Sequence, residues 1–436
     1  MENNILPDGT LDRTMPPPIR PMEPFKLMRP ERRVMANGMP LNVLCAGTED
    51  VVRVDVLVGC GQCHQTAPLQ ALFTNRMLRE GTASLTSERI AERLDYYGAW
   101  LELASSVNYG FLTLYSLNKH FGRTFAIVAD MLKHPTFPAH ELGVVVDANK
   151  QTYRVNSTRV EMLARRAMNR KLFGKEHPLG IRATLEDYDR ITPEMLRAFH
   201  TAHYHSANTS VYVSGRVTPD IIRTIENGLG SEPWGEVKGR TLTHLPEPVP
   251  TTEKRVFIEH GDALQSAVKM ACFLMDRHHP DFLKTRVMTT LFGGYFGSRL
   301  MANIREEKGY TYGIGAAIVA YPGSSLLVTA SEAANEYVEP LIGEVYLEMD
   351  RLCTDLVSPE ELEMVQGYML GDLCRSYEGP FSLPDAWIYA DTAGLDESFF
   401  ERSAEAVRSI TREEIRDLAQ RYLCKEKIIE IVAGKG

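Results

Sequence analysis

Apolar residues recur along the chain with two periods, one typical of strands and one typical of helices. The segment VRVDVLV at 52–58 alternates apolar and polar positions over most of its length, which predicts a strand. The segment SERIAERLDYYG places Ile90 and Leu94 on one helical face and ends at Gly98, where a helix commonly stops. A second amphipathic run, FGRTFAIVADMLKH, ends before Pro135, which cannot continue a helix. We therefore expect an α+β fold, with helices packed on one face of a mainly antiparallel sheet.

Two stretches, in the middle and at the end of the chain, repeat one pattern. RITPEMLRAFHTAHYHSANTSVYVSG ends at Gly215 and SITREEIRDLAQRYLCKEKIIEIVAG ends at Gly434, an offset of 219 residues (434 − 215). Pro138 and Pro359 lie in a second pair of similar segments, 221 residues apart (359 − 138). Each copy of the longer pattern predicts a Thr-capped helix followed by a strand. The chain is therefore expected to contain two homologous domains of about 200 residues each.

The composition between the repeats indicates where these domains begin and end. The stretch NGLGSEPWGEVKGRTLTHLPEPVPTTEK is rich in Gly and Pro and has no apolar period, which is typical of a linker. The first residues, which include Pro16, Pro17 and Pro18, are typical of an extended arm. The predicted segments are an arm at 1–30, a first domain at 31–226, a linker at 227–254 and a second domain at 255–436.

Composition and charge narrow the function classes. The chain has 436 residues and a formal net charge of −9, which argues against nucleic acid or an anionic membrane as a partner. No apolar run reaches the roughly 18 residues that a membrane helix needs, and the N-terminal residues lack an apolar signal core. The seven cysteines are odd in number and mostly single, which is typical of a reducing compartment. We expect a cytoplasmic protein that binds neither nucleic acid nor membrane.

Two groups of residues have the types that bind metal or haem. Cys60-Gly-Gln-Cys63-His64 has the spacing that attaches a c-type haem, and it also suits a redox pair or a shifted zinc site. Short motifs of this kind match by chance often, so a loop with two reduced thiols is favoured. His200 and His203 would share a helical face as zinc ligands do, close to His205. The loose spacing favours a solvent-exposed helix end instead.

A more specific pair lies in the second half, in SRLMANIREEKGYTYGIGA. A helix carrying Arg305 should run into Gly309, after which a strand begins that carries Tyr312. If the chain folds back at the glycine, the guanidinium and the phenol converge as two donors for a carbonyl oxygen or a developing oxyanion. The alternative is that Arg305 pairs with an acid and Tyr312 packs in the core.

Several of these segments resemble the pitrilysin/insulinase family of zinc peptidases, also called inverzincins. The resemblance is carried by GGYFGSRLMANIREEKGYTYGIGA, HHPDF, LFGKEHPLG and the repeated domain endings, and it covers the chain from about Pro30 onward. It is strongest to short bacterial members that are related to mitochondrial processing peptidase. Family members bind zinc through H-x-x-E-H on a helix of the first half, and a more distant Glu completes the site.

The resemblance implies that this zinc motif is degenerate. Leu72, Asn75 and Arg76 stand where the family has His, Glu and His, and Ala148 and Asn149 stand about where the distal Glu belongs. Leucine offers no lone pair, an asparagine is no general base near neutral pH, and arginine is a permanent cation. We expect that this chain binds no metal cofactor and hydrolyses no peptide alone.

The resemblance also implies that the family's substrate-binding residues are retained. Arg305 and Tyr312 match the Arg/Tyr pair that, in the family, lies across from the zinc and holds the scissile peptide. In short members these roles are often divided between two subunits. The resemblance therefore implies the non-metal subunit of a heterodimeric zinc metallopeptidase, with unfolded peptide as its substrate. Zinc is expected on a partner subunit of similar length that carries H-x-x-E-H. The alternative is a catalytically inactive, peptidase-like scaffold or peptide-binding protein.

Overall fold

A computed structural model of the chain describes Thr10 and residues 12–14, 26–236, 239 and 245–435. The part of the predicted arm that holds Pro16, Pro17 and Pro18 lies outside the described residues. The fold is α+β and contains two sheets, one in each half of the chain, as the sequence predicts.

The first sheet has six strands in the order β1-β2-β6-β3-β5-β4. All neighbouring pairs are antiparallel except β2 and β6, which run parallel. The strands are β1 (Glu31–Val34), β2 (Pro40–Cys45), β3 (Val51–Val58), β4 (Trp100–Ser105), β5 (Gly110–Leu117) and β6 (Thr209–Gly215). The helices of this half are α1 (Gln70–Met77), α2 (Ser87–Tyr96), α3 (Phe121–Lys133), α4 (Ala139–Ser157), α5 (Val160–Phe173), α6 (Leu185–Arg190), α7 (Pro193–His203) and α8 (Pro219–Ile225).

The second sheet has five strands in the order β7-β11-β8-β10-β9, and only β7 and β11 run parallel. Its strands are β7 (Arg255–Glu259), β8 (Gln265–Leu274), β9 (Thr311–Tyr321), β10 (Ser324–Ala334) and β11 (Ile429–Gly434). The helices are α9 (Phe282–Thr289), α10 (Val338–Thr354), α11 (Pro359–Tyr377), α12 (Leu383–Ala393), α13 (Phe399–Ser409) and α14 (Arg412–Tyr422).

The strand orders confirm the internal duplication. If β1 is set aside, the first sheet reads β2-β6-β3-β5-β4 and the second β7-β11-β8-β10-β9, with the same parallel pair at the same place. The predicted Thr caps are also formed: the side chains of Thr192 and Thr411 accept hydrogen bonds from backbone N–H groups in the first turns of α7 and α14. Both copies then end in an interior strand of their sheet, β6 or β11.

The two halves exchange one helix each, which the sequence does not predict. Helix α5 of the first half packs on the second sheet, where Met168 and Leu172 contact a cluster that includes Leu326 and Ile431. Helix α12 of the second half packs on the first sheet, where its side chains join those of β2, β3 and β6. The clustered residues there include Leu44, Leu57, Tyr212, Leu383 and Trp387. Each sheet therefore has helices from its own half on one face and a helix from the other half on the opposite face.

A buried ion pair reinforces this exchange. Arg53 on β3 is 7% exposed and donates to Asp55 Oδ1 at 2.9 Å, while its other contacts reach the second half. It donates to Asp385 Oδ1 of α12 and to the carbonyl oxygen of Phe381, each at 2.5 Å. Burial raises the pKa of Asp55, against the opposing effect of the Arg53 cation. The ionised state of Asp55 therefore depends on Arg53.

Part of the predicted linker packs against the first half. Trp234 is buried in the first-half core and donates its indole N–H to the carbonyl oxygen of Leu229 at 3.1 Å. Further along, the backbone N–H of Val249 donates to the carbonyl oxygen of Phe173 at the end of α5. Among the described residues, no helix is both long and apolar enough to cross a membrane.

Candidate functional site

The residues of the degenerate motif lie together on α1, which contacts α7 and the edge strand β4. Helix α1 begins after Leu69, whose φ of +71° turns the chain sharply into the helix. Leu72 lines a pocket of about 220 Å³ together with Gln65 and Ser105. The place of the family's first His is thus held by an apolar side chain beside the edge strand.

Asn75, at the position of the catalytic Glu, is fixed by neutral partners. Its side chain is 2% exposed and its amide donates to the carbonyl oxygen of Phe111 at 3.2 Å and to the Tyr204 hydroxyl at 3.4 Å. Burial raises the pKa of Tyr204 well above its usual value, so this hydroxyl stays protonated. The amide therefore anchors α1 to β5 and to the end of α7.

Arg76, which the resemblance places at the second His, contacts Asn149, one of the two residues that it places about where the distal Glu belongs. Its guanidinium donates a hydrogen bond to the side-chain oxygen of Asn149 on α4. The Asn149 amide in turn donates to the carbonyl oxygen of Val145 at 2.6 Å, within the same helix. The fold thus brings together Arg76 and Asn149, which the resemblance relates to two metal ligands, as a cation and a neutral amide.

These side chains do not fit zinc. A zinc site needs thiolates, neutral imidazoles or carboxylates, and Leu72, Asn75, Arg76 and Asn149 supply none of them. Within the described part of the chain there is no group of three or more His, Cys, Asp and Glu side chains that could hold a metal ion. No chemical step that needs a metal can be assigned to α1 of this chain.

The Cys-x-x-Cys-His segment does not form a zinc site either. Cys60 is buried, and burial raises the pKa of its thiol to about 12, which keeps it protonated. The sulfur of Cys63 contacts the next residue in the chain, 3.3 Å from His64 Nδ1. All seven cysteines are free thiols in the structure. The favoured sequence interpretation, a loop with two reduced thiols, agrees with this geometry.

The three histidines at the end of α7 are packed against their surroundings, so the expectation of a solvent-exposed helix end is wrong. His205 is fully buried, and His200 Nε2 lies 2.9 Å from the carbonyl oxygen of Leu132. The His200 ring also stacks on Tyr204, with centroids 4.8 Å apart. Burial lowers the pKa of His200 to about 4, so the ring is neutral near pH 7.

In the second half, the structure brings Arg305 and Tyr312 together. Arg305 lies in the π-helical segment Met301–Glu307, Gly309 turns the chain with a φ of +67°, and β9 begins two residues later. The Arg305 guanidinium carbon is 5.2 Å from the centroid of the Tyr312 ring and 4.7 Å from that of Phe296. These are cation–π distances.

The pair is open to solvent, so the alternative in which Tyr312 packs in the core is wrong. Tyr312 is 90% exposed and Phe296 is 61% exposed. No ion pair between Arg305 and a carboxylate is formed within the described residues. The Arg305 guanidinium lies between the exposed rings of Phe296 and Tyr312. Its N–H groups and the Tyr312 hydroxyl are therefore both available as donors to a ligand.

Tyr312 also lines a pocket that the sequence did not indicate. This pocket, of about 510 Å³, includes Lys269 of β8 and Glu161 of the exchanged helix α5, whose charged groups pair at 3.1 Å. Glu161 and Glu332 also line a larger pocket of about 1070 Å³, which extends toward His260. Residues from both halves therefore form one continuous polar surface beside Tyr312. Lys269 and Glu161 could not be found from sequence because their contact depends on the helix exchange.

Comparisons with known proteins identify both halves of the chain. Residues 43–180 match the insulinase family, peptidase family M16, and residues 190–368 match the family described as the peptidase M16 inactive domain. The two matched ranges together cover most of the chain, including α1 and the Arg305–Tyr312 pair.

The chain is also similar to individual proteins. It is 22% identical over 415 residues to "Uncharacterized zinc protease YmxG" of Bacillus subtilis, which covers 93% of this chain and 98% of that protein. It is 25% identical over 250 residues to "Non-peptidase homolog YmxG" of Helicobacter pylori, 56% of each chain. A crystal structure of a peptidase M16 inactive domain from Pseudomonas fluorescens superposes with a TM-score of 0.83 at 21% identity, covering 94% of this chain and 99% of that chain. At this sequence identity, the superposition shows that the two proteins share a fold.

Proposed function

This chain belongs to the insulinase family, peptidase family M16, as a member with a degenerate zinc motif, and from that membership we propose that it is the zinc-free subunit of a heterodimeric metallopeptidase. Its own α1 offers no zinc ligand and no general base, so hydrolysis requires a second chain with H-x-x-E-H. We propose a partner of similar length that carries the zinc. The chain itself is a peptidase-like protein that is inactive alone.

The single observation that carries this proposal is the exposed Arg305–Tyr312 pair. A structural role would bury the phenol or pair the guanidinium with a carboxylate, and neither is found within the described residues. A guanidinium and a phenol stabilise a developing oxyanion by hydrogen bonds, each worth about 2–4 kcal/mol of transition-state stabilisation in comparable sites. We propose that both groups bind the scissile carbonyl of a peptide held between this chain and its partner.

The strand that begins at this pair supports binding of an extended peptide. β9 lies at the edge of the second sheet and its sequence, TYGIGAAIVAY, contains no charged residue and no proline. The other edge strands are shorter and each carries charge: β1 is ERRV, β4 is WLELAS and β7 is RVFIE. Charges and short lengths normally protect an edge from pairing, so an unprotected edge of 11 residues favours strand addition by a ligand.

The test is reconstitution with a cognate H-x-x-E-H subunit and a fluorogenic unfolded peptide. Arg305→Ala or Tyr312→Phe should lower kcat of the mixture about 10²- to 10³-fold, because each removes one donor to the transition state. Arg402→Ala and Tyr96→Phe, which change an exposed arginine and an exposed tyrosine elsewhere, serve as controls and should leave kcat unchanged. If the first two variants also leave kcat unchanged, the shared site is refuted.

A second candidate function is an inactive scaffold or peptide-binding protein. The names of two matches favour it, one a "Non-peptidase homolog" and the other an "inactive domain". In that case the chain binds unfolded peptide but no mixture with an H-x-x-E-H subunit gains activity. We place either form in the cytoplasm, a location that the seven free thiols support.

A further inference from the structure

We infer that a pocket between the second sheet and helices α12 and α13 binds a carboxylate that is attached to an aromatic or branched apolar group. The pocket has a volume of about 390 Å³, within the range of small-ligand sites. Among the described lining residues the charged one is Arg286 on α9, which lies beside two tyrosines and several apolar side chains. The apolar lining comes from five different elements and includes Phe282, Ile318, Tyr377, Tyr389, Phe399 and Phe400.

The aromatic walls are held rigidly by one another. Phe399 and Phe400 are 3% and 4% exposed, and their rings meet edge to face with centroids 5.5 Å apart. Phe400 meets the Tyr377 ring in the same manner at 5.2 Å. Buried rings in edge-to-face contact keep a fixed shape, so the cavity does not depend on a ligand to form it. Tyr389, which is 39% exposed, lies at its opening.

Arg286 is the residue in this pocket that indicates an anionic ligand. Its guanidinium makes no hydrogen bond or ion pair to any described residue, although the chain has more acidic than basic side chains. Asp372, a carboxylate whose charge acts on Tyr377, pairs with Arg375 at 2.6 Å. A half-buried arginine among aromatic rings has lost part of its hydration, so a carboxylate that enters the pocket gains a strong hydrogen-bonded pair.

A second cation lies at the opening. The Arg277 guanidinium is 5.5 Å from the centroid of the Tyr389 ring, and it too forms no ion pair within the described residues. Two arginines without a carboxylate partner among the described residues therefore lie near this pocket, which favours an anionic ligand. The single cation inside, between apolar walls, fits one carboxylate better than a polyanion. The apolar body of the ligand would pack on the aromatic rings.

Two sources could supply this chemistry: a free aryl carboxylate and the C-terminal residue of a peptide. The peptide source rests on the proposed function and has structural support, because Ile318 and Ala320 of β9 form one wall of the pocket. The free carboxylate does not depend on the proposed function. The pocket therefore remains testable if the heterodimer is refuted.

The experiment is calorimetric titration of the full chain with three probes. They are 3-phenylpropionate, an N-acetylated peptide ending in Leu-Phe with a free carboxylate, and the same peptide with a C-terminal amide. We expect the free carboxylate peptide to bind and the amide to bind about 10- to 100-fold more weakly, the usual range for a charged hydrogen bond. Binding of 3-phenylpropionate as tightly as the peptide would support the pocket and assign the ligand to the small-molecule source.

Arg286→Met, which keeps an apolar stem without the charge, should abolish the preference for carboxylate over amide. Arg197→Met on α7 removes one exposed arginine far from the pocket and should preserve it. Thermal unfolding of each variant verifies that it folds. The inference is overturned if the acid and amide peptides bind equally to the unsubstituted chain, if none of the three probes binds, or if folded Arg286→Met retains the preference.

Discussion

The Arg76 guanidinium on α1 donates a hydrogen bond to the side-chain oxygen of Asn149 on α4. The resemblance relates Arg76 to the second zinc-binding His, and Asn149 is one of two residues that lie about where it expects the distal Glu. Here a cation and a neutral amide complete one another, so the local structure is preserved without a metal. The contact also holds α1 against α4 in a chain that lacks the metal ligands and the general base of the family's motif.

The degenerate site should accept zinc when its ligands are restored. We expect a variant with Leu72→His, Asn75→Glu, Arg76→His and Asn149→Glu to hold about one zinc ion per chain, measured by mass spectrometry of the purified protein. A triple variant that keeps Arg76 is the matched control, and its cation should prevent binding. Stoichiometric zinc in the unsubstituted chain that is lost on Cys63→Ser would contradict this account.

The buried Arg53 should contribute strongly to stability. Arg53→Met leaves Asp55 buried without its counter-ion, and we expect a loss of about 3–5 kcal/mol in the free energy of unfolding, measured by urea denaturation at pH 7. Because the pKa of Asp55 is already raised, the variant should regain stability as the pH falls and Asp55 becomes protonated. Arg402→Met breaks an exposed pair with Asp396 and should leave the urea midpoint nearly unchanged. Equal effects of the two substitutions would refute the role of Arg53.

His200 should make the fold sensitive to mild acid. Its pKa is lowered to about 4 by burial, so between about pH 6.5 and pH 4 the unfolded chain binds a proton that the folded chain does not. Stability is therefore fully present above pH 6.5 and falls by about 3 kcal/mol as the pH drops to about 4. Burial also lowers the pKa of His64 and of His177, which adds to the same slope.

The contribution of His200 can be isolated by substitution. His200→Gln keeps a donor for the carbonyl oxygen of Leu132 and should flatten the slope of unfolding free energy against pH in this interval. The exposed His140 provides the control, because His140→Gln should leave the slope as it is. An unchanged slope in the His200 variant would show that the ring titrates normally.

The uncharged edge of β9 should be sensitive to one lysine. Val319 is 38% exposed on β9, and Val319→Lys should weaken binding of a fluorescein-labelled unstructured peptide about tenfold, because edge charges oppose strand addition. The matched control is Val34→Lys on β1, where a valine that is 76% exposed lies on an edge that already carries charge. Fluorescence anisotropy measures both affinities. Equal binding by the two variants would place the peptide elsewhere.

Features that depend on neighbouring residues could be predicted from the sequence. The Thr caps and the duplicated strands follow from local chemistry, and the turn that joins Arg305 to Tyr312 follows from one glycine with a positive φ. The resemblance, and not spacing, singled out Leu72, Asn75 and Arg76, and the structure places all three on α1. The resemblance indicated that Arg76 lies near Ala148 or Asn149, and the structure shows that the contact is with Asn149.

Features that depend on which surfaces pack together could not be predicted from the sequence. Ala164, Met168 and Leu172 recur every four residues, which predicts an apolar face on α5 but not the sheet that receives it. The ion pair of Lys269 with Glu161 joins the two halves, and the aromatic pocket around Arg286 joins five separate elements of the second half. Residues that are about 100 positions apart become neighbours there through packing of two apolar faces, and no local period encodes such a pairing.

The exchange of α5 and α12 has a consequence for synthesis on the ribosome. The first sheet is complete once β6 ends at Gly215, but α12, which covers its second face, ends at Ala393, 178 residues later (393 − 215). At about 5–20 residues per second, Leu44, Leu57 and Tyr212 would stay uncovered for roughly 10–35 s in each nascent chain. During that interval the first half exposes an apolar sheet face to other nascent chains. A chaperone that holds the emerging first half is therefore expected to raise the yield of folded protein, and a gene truncated before α12 is expected to yield aggregates.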